Sequence, residues 1–381
     1  MNIQIANRLT NLPPYLFAEI DRQKQALKQK GVEILDFGVG DPDLPTPNFI
    51  VEAIKEGFTL QNYHQYPSYS GSETFKETVS QWFQKRFNVA LNPKQEIIAL
   101  IGSKEGIAHT PLALINPGEK VLYTSPGYPV YKVATEFAGG IPIEVPLTIE
   151  NDFLPDLSKL PTDAKLFFFN YPNNPTSATA SFEFFKDLVQ WAKKNEVILC
   201  HDAAYSEIYF DGNPTRSILE VPGAKDISIE FHSLSKTFNM TGWRIGFAVG
   251  NEKLISALGK MKTNIDSGQF LPIQHAACVA LKDGDAFIET QRQTFQRRRD
   301  LLTNGLKKTA LEVYPCKSTF YLWTKTPKNQ SSIEFSQHLL QKLGIVSTPG
   351  VGFGAPGEGY IRFSLTVPEP TIQKALKQLG T

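Results

Sequence analysis

Lys236 stands in the stretch Phe231-His-Ser-Leu-Ser-Lys-Thr-Phe-Asn-Met-Thr-Gly-Trp-Arg244, with Ser233 and Ser235 just before it and Arg244 eight positions beyond. A lysine that is desolvated and set near other cations gives up its proton more easily, and the neutral amine can then condense with an aldehyde. Ser233, Ser235 and the Arg244 guanidinium are donors suited to a phosphate. Together they describe a seat for a compound carrying both an aldehyde and a phosphate, which is the chemistry of pyridoxal 5′-phosphate. Taken alone, Lys236 is equally one more solvated surface lysine, so the rest of the chain must supply the context.

Asp202 closes the apolar run Val197-Ile-Leu-Cys-His201. A carboxylate facing a pyridinium nitrogen keeps that ring protonated, since a close ion pair moves a pKa by roughly 1–3 units. A protonated ring is the electron sink that such a cofactor needs. An isolated aspartate at a strand end is otherwise an ordinary turn or cap residue. Asn174 follows the run Ala164–Tyr171, and Tyr205 lies three residues after Asp202. Both can donate to a phenolate oxygen, although Asn-Pro is also a common turn signal. Gly102-Ser103-Lys104-Glu105-Gly106 opens a helix, where free N–H groups and a hydroxyl suit an anion as well as they suit a plain N-cap. Tyr128, in a Pro-Gly-Tyr-Pro turn, has the ring to cover a pyridine face. Arg362, on the alternating stretch Tyr360-Ile-Arg-Phe-Ser-Leu365, is placed to clamp a substrate carboxylate, and Gly40 would let that carboxylate approach the backbone. Gly352-Phe-Gly-Ala-Pro-Gly357 fits G-x-G-x-x-G literally, but it contains proline and precedes a strand, so the dinucleotide reading fails on context.

These residues need strands and helices to hold them. Apolar runs at Ile97–Ile101, Lys120–Thr124, Ala164–Tyr171 and Glu196–Asp202 alternate with helical patterns at 47–60, 72–87, 103–115 and 182–195. That predicts an α/β fold with a mainly parallel sheet covered by helices. The Asp226–Phe231 stretch alternates and reads as a half-buried strand, followed by a short loop that carries Lys236 and by a further strand at Ile245–Val249. Candidate residues at the C-terminal ends of such strands stand where open α/β sheets bind ligands. After about residue 284 a long charged helix leads to a few strands and a final helix near 371–379. The expected organisation is an irregular arm (1–14), the N-terminal part of a small α+β domain (15–42), a large domain (43–284) and the C-terminal part of the small domain (285–381).

Lys and Arg number 39 against 38 Asp and Glu, a formal net charge of +1. No basic excess points to nucleic acid. Cys200, Cys278 and Cys316 are far apart, without metal-ligand spacing, so no metal site is expected and buried, reduced thiols are. No apolar stretch has the length of a signal peptide or a membrane span, which leads to the expectation of a cytoplasmic protein with no membrane partner.

Asn174-Pro-Thr, Asp202-x-x-Tyr205, Ser233-x-Ser-Lys236, Arg244 and Arg362, in this order along the chain, resemble the class I/II aminotransferases of pyridoxal-phosphate fold type I. The resemblance implies that Lys236 is the Schiff-base lysine, Asp202 the pyridinium partner, and Asn174 with Tyr205 the ligands of the phenolic oxygen. It gives Ser103, Ser233 and Arg244 to the phosphate and Arg362 to the substrate carboxylate. Tyr66, five residues before Gly71, matches a tyrosine that reaches the phosphate of a neighbouring subunit, which implies a homodimer with shared sites. Ser177 departs from the family, which usually has glycine after Asn-Pro-Thr. Within the family, the stretches 15–20, 101–109, 232–251 and 264–268 are most like the branch acting on LL-diaminopimelate. That branch exchanges an amino group between glutamate/2-oxoglutarate and tetrahydrodipicolinate/LL-diaminopimelate in lysine biosynthesis. Tyr15, Lys104 and Asn264 would then meet the far end of the substrate. The alternatives on this scaffold are transaminases of alanine, aspartate or aromatic amino acids, a β-lyase or decarboxylase, and a cofactor-sensing regulatory domain.

Overall fold

The computed structural model describes residues 1, 3–10, 12, 16–309 and 311–380, with the backbone alone for 16–20. In chain order the strands are β1 (Leu35–Asp36), β2 (Ile97–Leu100), β3 (Lys120–Ser125), β4 (Ile141–Pro146), β5 (Leu166–Asn170), β6 (Ile198–Asp202), β7 (Ser228–Ser233), β8 (Gly246–Gly250), β9 (Tyr321–Lys325), β10 (Ile345–Val346), β11 (Thr348–Pro349) and β12 (Tyr360–Ser364). Seven of them form one sheet in the order β2-β8-β7-β6-β5-β3-β4. β4, β3, β5, β6 and β7 run parallel, and β8 runs antiparallel to both β7 and β2. β11, β12 and β9 make a small antiparallel sheet, and β1 pairs with β10 in parallel.

The parallel strands read as continuous apolar runs because helices cover both faces. Phe167 and Phe169 on β5 pack in one cluster with Phe185, Leu188 and Ala192 of the helix Phe182–Lys194, while Leu166 and Phe168 pack in another with Ile107 and Tyr131. The helices start where hydroxyls can hold their first free N–H groups. Ser72 accepts from Phe75 and Ser181 from Phe184, and Ser331 forms a reciprocal box with Glu334. A separate cluster gathers Leu35, Phe37, Phe295, Phe320, Tyr321 and Phe363 beneath the small sheet.

Four expectations change. The strand expected over Val32–Phe37 is only Leu35–Asp36. The arm contains a short helix, Asn7–Thr10. β4 has no counterpart in the sequence reading. It is an edge strand carrying Pro142 and Pro146, which lack the N–H that an inner strand must donate. β7 is buried on both faces, not half-buried. Its polar residues Ser228, Glu230 and His232 face inward, and two of them join a closed network. Glu230 meets His201 Nδ1 at 2.9 Å and His232 Nε2 at 2.6 Å, and accepts from Ser217 Oγ at 2.9 Å. Burial alone would raise the Glu230 pKa, but these partners hold it well below the usual range.

Candidate active site

β8 runs back between β2 and β7, so Gly246 lies opposite both Ser233 and Leu100. This brings the ends of two strands and the start of a third to one place. Gly102 then caps the helix Ser103–Leu114 with φ +75°, and a Cβ on it would stand 2.3 Å from Arg244 Nη2. Only glycine therefore lets the Arg244 side chain lie across the helix start. Arg244 is itself left-handed (φ +58°) and donates to the Thr241 carbonyl at 2.9 Å. A Cβ on Gly246 would approach the Ser103 nitrogen to 3.0 Å. Ser233 Oγ accepts from the Ser235 N–H at 3.2 Å. Ser103, Ser233, Ser235 and Arg244 thus share one corner, where a helix start and a guanidinium both favour an anion.

Lys236 sits on a helical turn, Leu234–Thr237, where a loop was expected. The turn forms because Ser233 caps it and the Phe238 N–H bonds back to the Leu234 carbonyl. Its own carbonyl accepts from Gln291 Nε2 at 2.7 Å. The Nζ donates to the Gly40 carbonyl at 3.1 Å and lies 5.7 Å from the centre of the Phe320 ring. Desolvation, aided by Arg244 and Arg362, outweighs the attraction of Asp41 and lowers the Lys236 pKa to about 8. Near neutral pH a usable fraction of the amine is therefore neutral.

Asp202 is buried at the end of β6. One carboxyl oxygen accepts from Tyr131 Oη at 2.8 Å and the other from the Ala204 N–H at 3.2 Å. Burial raises its pKa and those bonds only partly offset the rise. Such a carboxylate gains strongly from a cationic neighbour. Asn170 at the end of β5 donates to the Asp202 carbonyl at 2.7 Å and accepts from the Asn174 N–H at 2.7 Å, so the two loops are set by one side chain.

Arg362 is buried on β12. It donates to Asn174 Oδ1 and to the Gly38 carbonyl, each at 2.8 Å, and its guanidinium lies 4.0 Å from the Tyr321 ring centre and 4.7 Å from that of Phe353. Tyr205 Oη is 3.2 Å from Tyr321 Oη. A Cβ on Gly40 would lie 1.9 Å from that same Tyr321 oxygen, so the close backbone approach expected at Gly40 is to a side chain of this chain.

The structure therefore gathers Gly40, Asn174, Asp202, Tyr205, Lys236 and Arg362 around the sheet edge, beside the corner of Ser103, Ser233, Ser235 and Arg244. Lys104 Nζ lies 5.5 Å from the centre of the Tyr128 ring, which in turn packs edge-on against Tyr131. Two residues stand apart within the chain. Tyr66 is 90% exposed. Asn264 is exposed at the end of the helix Glu252–Lys262 and donates to the Lys260 carbonyl at 2.8 Å, the geometry of a helix-end cap. Tyr15 lies outside the described residues. Sequence reasoning missed Tyr131, Tyr321 and Asp41. Asp41 follows Gly40 directly and could have been found there, whereas Tyr131 and Tyr321 reach the site only through folding.

A family model described as aminotransferase class I and II matches residues 32–379. The chain belongs to that family. It is 53% identical over 380 residues to the LL-diaminopimelate aminotransferase of Aquifex aeolicus, covering 99% of this chain and 98% of that relative. A similar likeness, 52% over 382 residues and the same shares, holds for the LL-diaminopimelate aminotransferase of Nitratidesulfovibrio vulgaris strain Hildenborough. Among solved structures, apo-BacF from Bacillus subtilis superposes with a TM-score of 0.95 at 34% identity, covering 100% of this chain and 98% of that one. In this class I and II aminotransferase, the serine at position 177 adopts φ +64°, a left-handed conformation in which glycine is easier. Its buried Oγ is 2.8 Å from Thr319 Oγ1 and donates to the Tyr321 carbonyl at 2.5 Å. The serine therefore adds two bonds between the Asn174 loop and the start of β9 that a glycine could not make.

Proposed function

We propose that this aminotransferase uses pyridoxal 5′-phosphate to move an amino group between glutamate/2-oxoglutarate and tetrahydrodipicolinate/LL-2,6-diaminopimelate, a step of lysine biosynthesis. The observation that carries the chemistry is the Lys236 amine, lowered to about 8 and set between an anion-favouring corner and a buried arginine. The residues fit the cofactor. The Gly102–Arg244 corner is a cradle that a Cβ would fill, and Asp202 is a buried carboxylate without a cationic partner printed against either oxygen in its hydrogen bonds. When bound, the cofactor supplies a ring that takes up the electron pair left at the substrate Cα.

The chain's own residues do the rest. Ser103, Ser233, Ser235 and Arg244 hold the phosphate, and Tyr66 of the same type of chain in a homodimer reaches it from outside. Asp202 faces the ring nitrogen and keeps a proton there, oriented by Tyr131. Asn174 and Tyr205 donate to the phenolic oxygen, and Tyr128 covers the ring. Arg362 binds the substrate α-carboxylate. Lys236 holds the cofactor at rest and, once released, takes the proton from the substrate Cα and returns it at the cofactor carbon. Lys104, Tyr15 and Asn264 are assigned to the far end of the substrate. That end carries both a carboxylate and an ammonium, and leaving such ions buried without partners would cost several kcal/mol.

The organisation that accompanies this reading is an arm (1–14), a small domain built from 15–42 and 285–381, and a large cofactor domain (43–284). No helix among the described residues is long and apolar enough to cross a membrane. That is compatible with the cytoplasmic location we assign. The substrate assignment rests on the relatives' names and on the 15–20, 101–109, 232–251 and 264–268 stretches. Its test is glutamate formation from 2-oxoglutarate by cofactor-loaded protein with a panel of amino donors. LL-diaminopimelate should react at least about tenfold faster than aspartate or alanine, and the meso isomer more slowly because its distal centre is inverted. Aspartate or alanine outrunning LL-diaminopimelate would reject the substrate and leave the transaminase standing.

A further inference from the structure

Tyr321 touches three parts of the site at once. Its hydroxyl is 3.2 Å from that of Tyr205, its ring centre lies 4.0 Å from the Arg362 guanidinium, and its oxygen fills the space a Gly40 side chain would need. It is buried, and its main chain is fastened on both sides. Its N–H donates to Thr319 Oγ1 at 3.1 Å and its carbonyl accepts from Ser177 Oγ. Tyr205 has a single hydroxyl proton. If it gives that proton to the cofactor's phenolic oxygen, its own oxygen is left to accept, and Tyr321 is the hydroxyl placed to donate to it. Two hydroxyls donating in the same direction polarise one another, so the second strengthens the first.

We propose that Tyr321 is a positioning residue with two separable actions: its hydroxyl strengthens the donation of Tyr205 to the cofactor, and its ring holds the Arg362 guanidinium in place for the substrate carboxylate. The proposal rests on the roles given above to Tyr205 and Arg362. It makes Tyr321 the joint at which cofactor and substrate recognition meet on one side chain.

The test uses the cofactor-loaded full chain and four variants: Tyr321→Phe, Tyr321→Leu, Tyr205→Phe and the Tyr205→Phe/Tyr321→Phe pair. Two quantities are read, the pH midpoint of the bound cofactor's visible absorbance and the KM of the amino donor. A donor on the phenolic oxygen favours the deprotonated form, so losing donation raises the midpoint. Tyr205→Phe should raise it, and Tyr321→Phe should raise it by a smaller amount, about 0.2–0.4 pH unit for a cooperative contribution of that kind. In the pair, Tyr321→Phe should add nothing. KM should stay within about twofold in Tyr321→Phe, which keeps the ring, and rise about tenfold in Tyr321→Leu, which removes the desolvated cation–π contact. A Tyr321→Phe midpoint at the wild-type value, with Tyr205→Phe displaced, overturns the hydroxyl action alone. An equal shift with and without Tyr205 overturns it too. An unchanged KM in Tyr321→Leu overturns the ring action. If Tyr205→Phe itself leaves the midpoint in place, the cofactor role of Tyr205 falls and the hydroxyl action falls with it. The near-isosteric Tyr321→Phe keeps the question answerable should Tyr321→Leu fail to fold.

Discussion

Replacing Lys236 by Met should abolish turnover and change the pH dependence of stability in a way that only a desolvated lysine explains. In the folded chain the amine has a pKa of about 8, against 10.5 for an ordinary lysine. Below pH 8 the ammonium is present in both folded and unfolded chains, and it is disfavoured in the folded one. As pH rises from 8 to 10.5 the unfolded chain binds more protons at this site than the folded chain, so stability rises with pH and the penalty disappears. The shift of 2.5 units (10.5 − 8) corresponds to roughly 3.4 kcal/mol, and allowing for the partial exposure of the side chain leaves about 2–3 kcal/mol. Methionine carries no such penalty. The stability of Lys236→Met relative to wild type should therefore fall by about 2–3 kcal/mol between pH 7 and pH 10.5. The loss of the bond from Nζ to the Gly40 carbonyl enters as a constant offset. With an unfolding entropy of roughly 2.1 cal/mol/K per residue over 381 residues, the difference in Tm should change by about 3 °C. The measurement is thermal unfolding of both proteins, freed of cofactor, at equal concentration and at half-unit pH steps. Every other titrating group is common to the two chains and cancels. A difference in Tm that stays flat from pH 7 to 10.5 would refute the desolvation argument and, with it, the reason given for this lysine's reactivity.

Three further outcomes follow from the same geometry. Asp202→Ala should lower kcat about 100-fold, the effect of roughly two pKa units of lost ring protonation, with cofactor affinity changing much less; titration of cofactor binding beside steady-state rates checks it, and full activity would sink the role of Asp202. Co-expressed Tyr66→Phe and Lys236→Ala chains should recover activity in isolated hybrids, because one of two shared sites is then intact; impaired parents with no recovery would place Tyr66 in its own chain's service. Ser177→Gly relieves a left-handed backbone by about 1–2 kcal/mol but loses two buried hydrogen bonds worth about 1 kcal/mol each, so denaturant midpoints should move little; a loss above about 3 kcal/mol would mean that the bonds to Thr319 and Tyr321 matter far more than their number suggests.

The parts of this molecule that could be read from the sequence are those whose cause is local. Phe167 to Phe169 make a strand because a run of apolar residues can only be buried on both sides, and Ser72, Ser181 and Ser331 start helices because their hydroxyls cap the chain just beyond them. The residues gathered at the sheet edge were legible for a related reason: Asn174, Asp202 and Ser233 each end or follow such a run. What escaped depends on distant partners. Glu230 and His232 looked solvent-facing because their alternation is that of an exposed strand, and only His201 and Ser217 make their burial tolerable. Tyr131 and Asp202 meet across 71 residues, and Tyr205 and Tyr321 across 116, with no spacing rule to announce either pair. The turn at Lys236 is too short to leave a periodic signal. The bonds made by Arg362 to Asn174 and Gly38 explain its burial, which an alternating strand alone could not indicate.

The reversed course of β8 has a consequence for how the molecule is assembled. The anion-favouring corner draws Ser103 from the end of β2, Ser233 from the end of β7 and Arg244 from the entry to β8, and β8 must pair with both other strands before the three meet. Closing loops of this length is entropically unfavourable and kinetically slow, so the corner belongs to the last stages of folding. A phosphate compound that recognises it then binds the finished sheet and nothing earlier. At a concentration 100 times its Kd, such a ligand favours the completed state by roughly 2.7 kcal/mol. The cofactor proposed for the chemistry is thereby also a clasp on the longest-range pairing in the main sheet, and its supply during synthesis should govern how much chain survives to become enzyme.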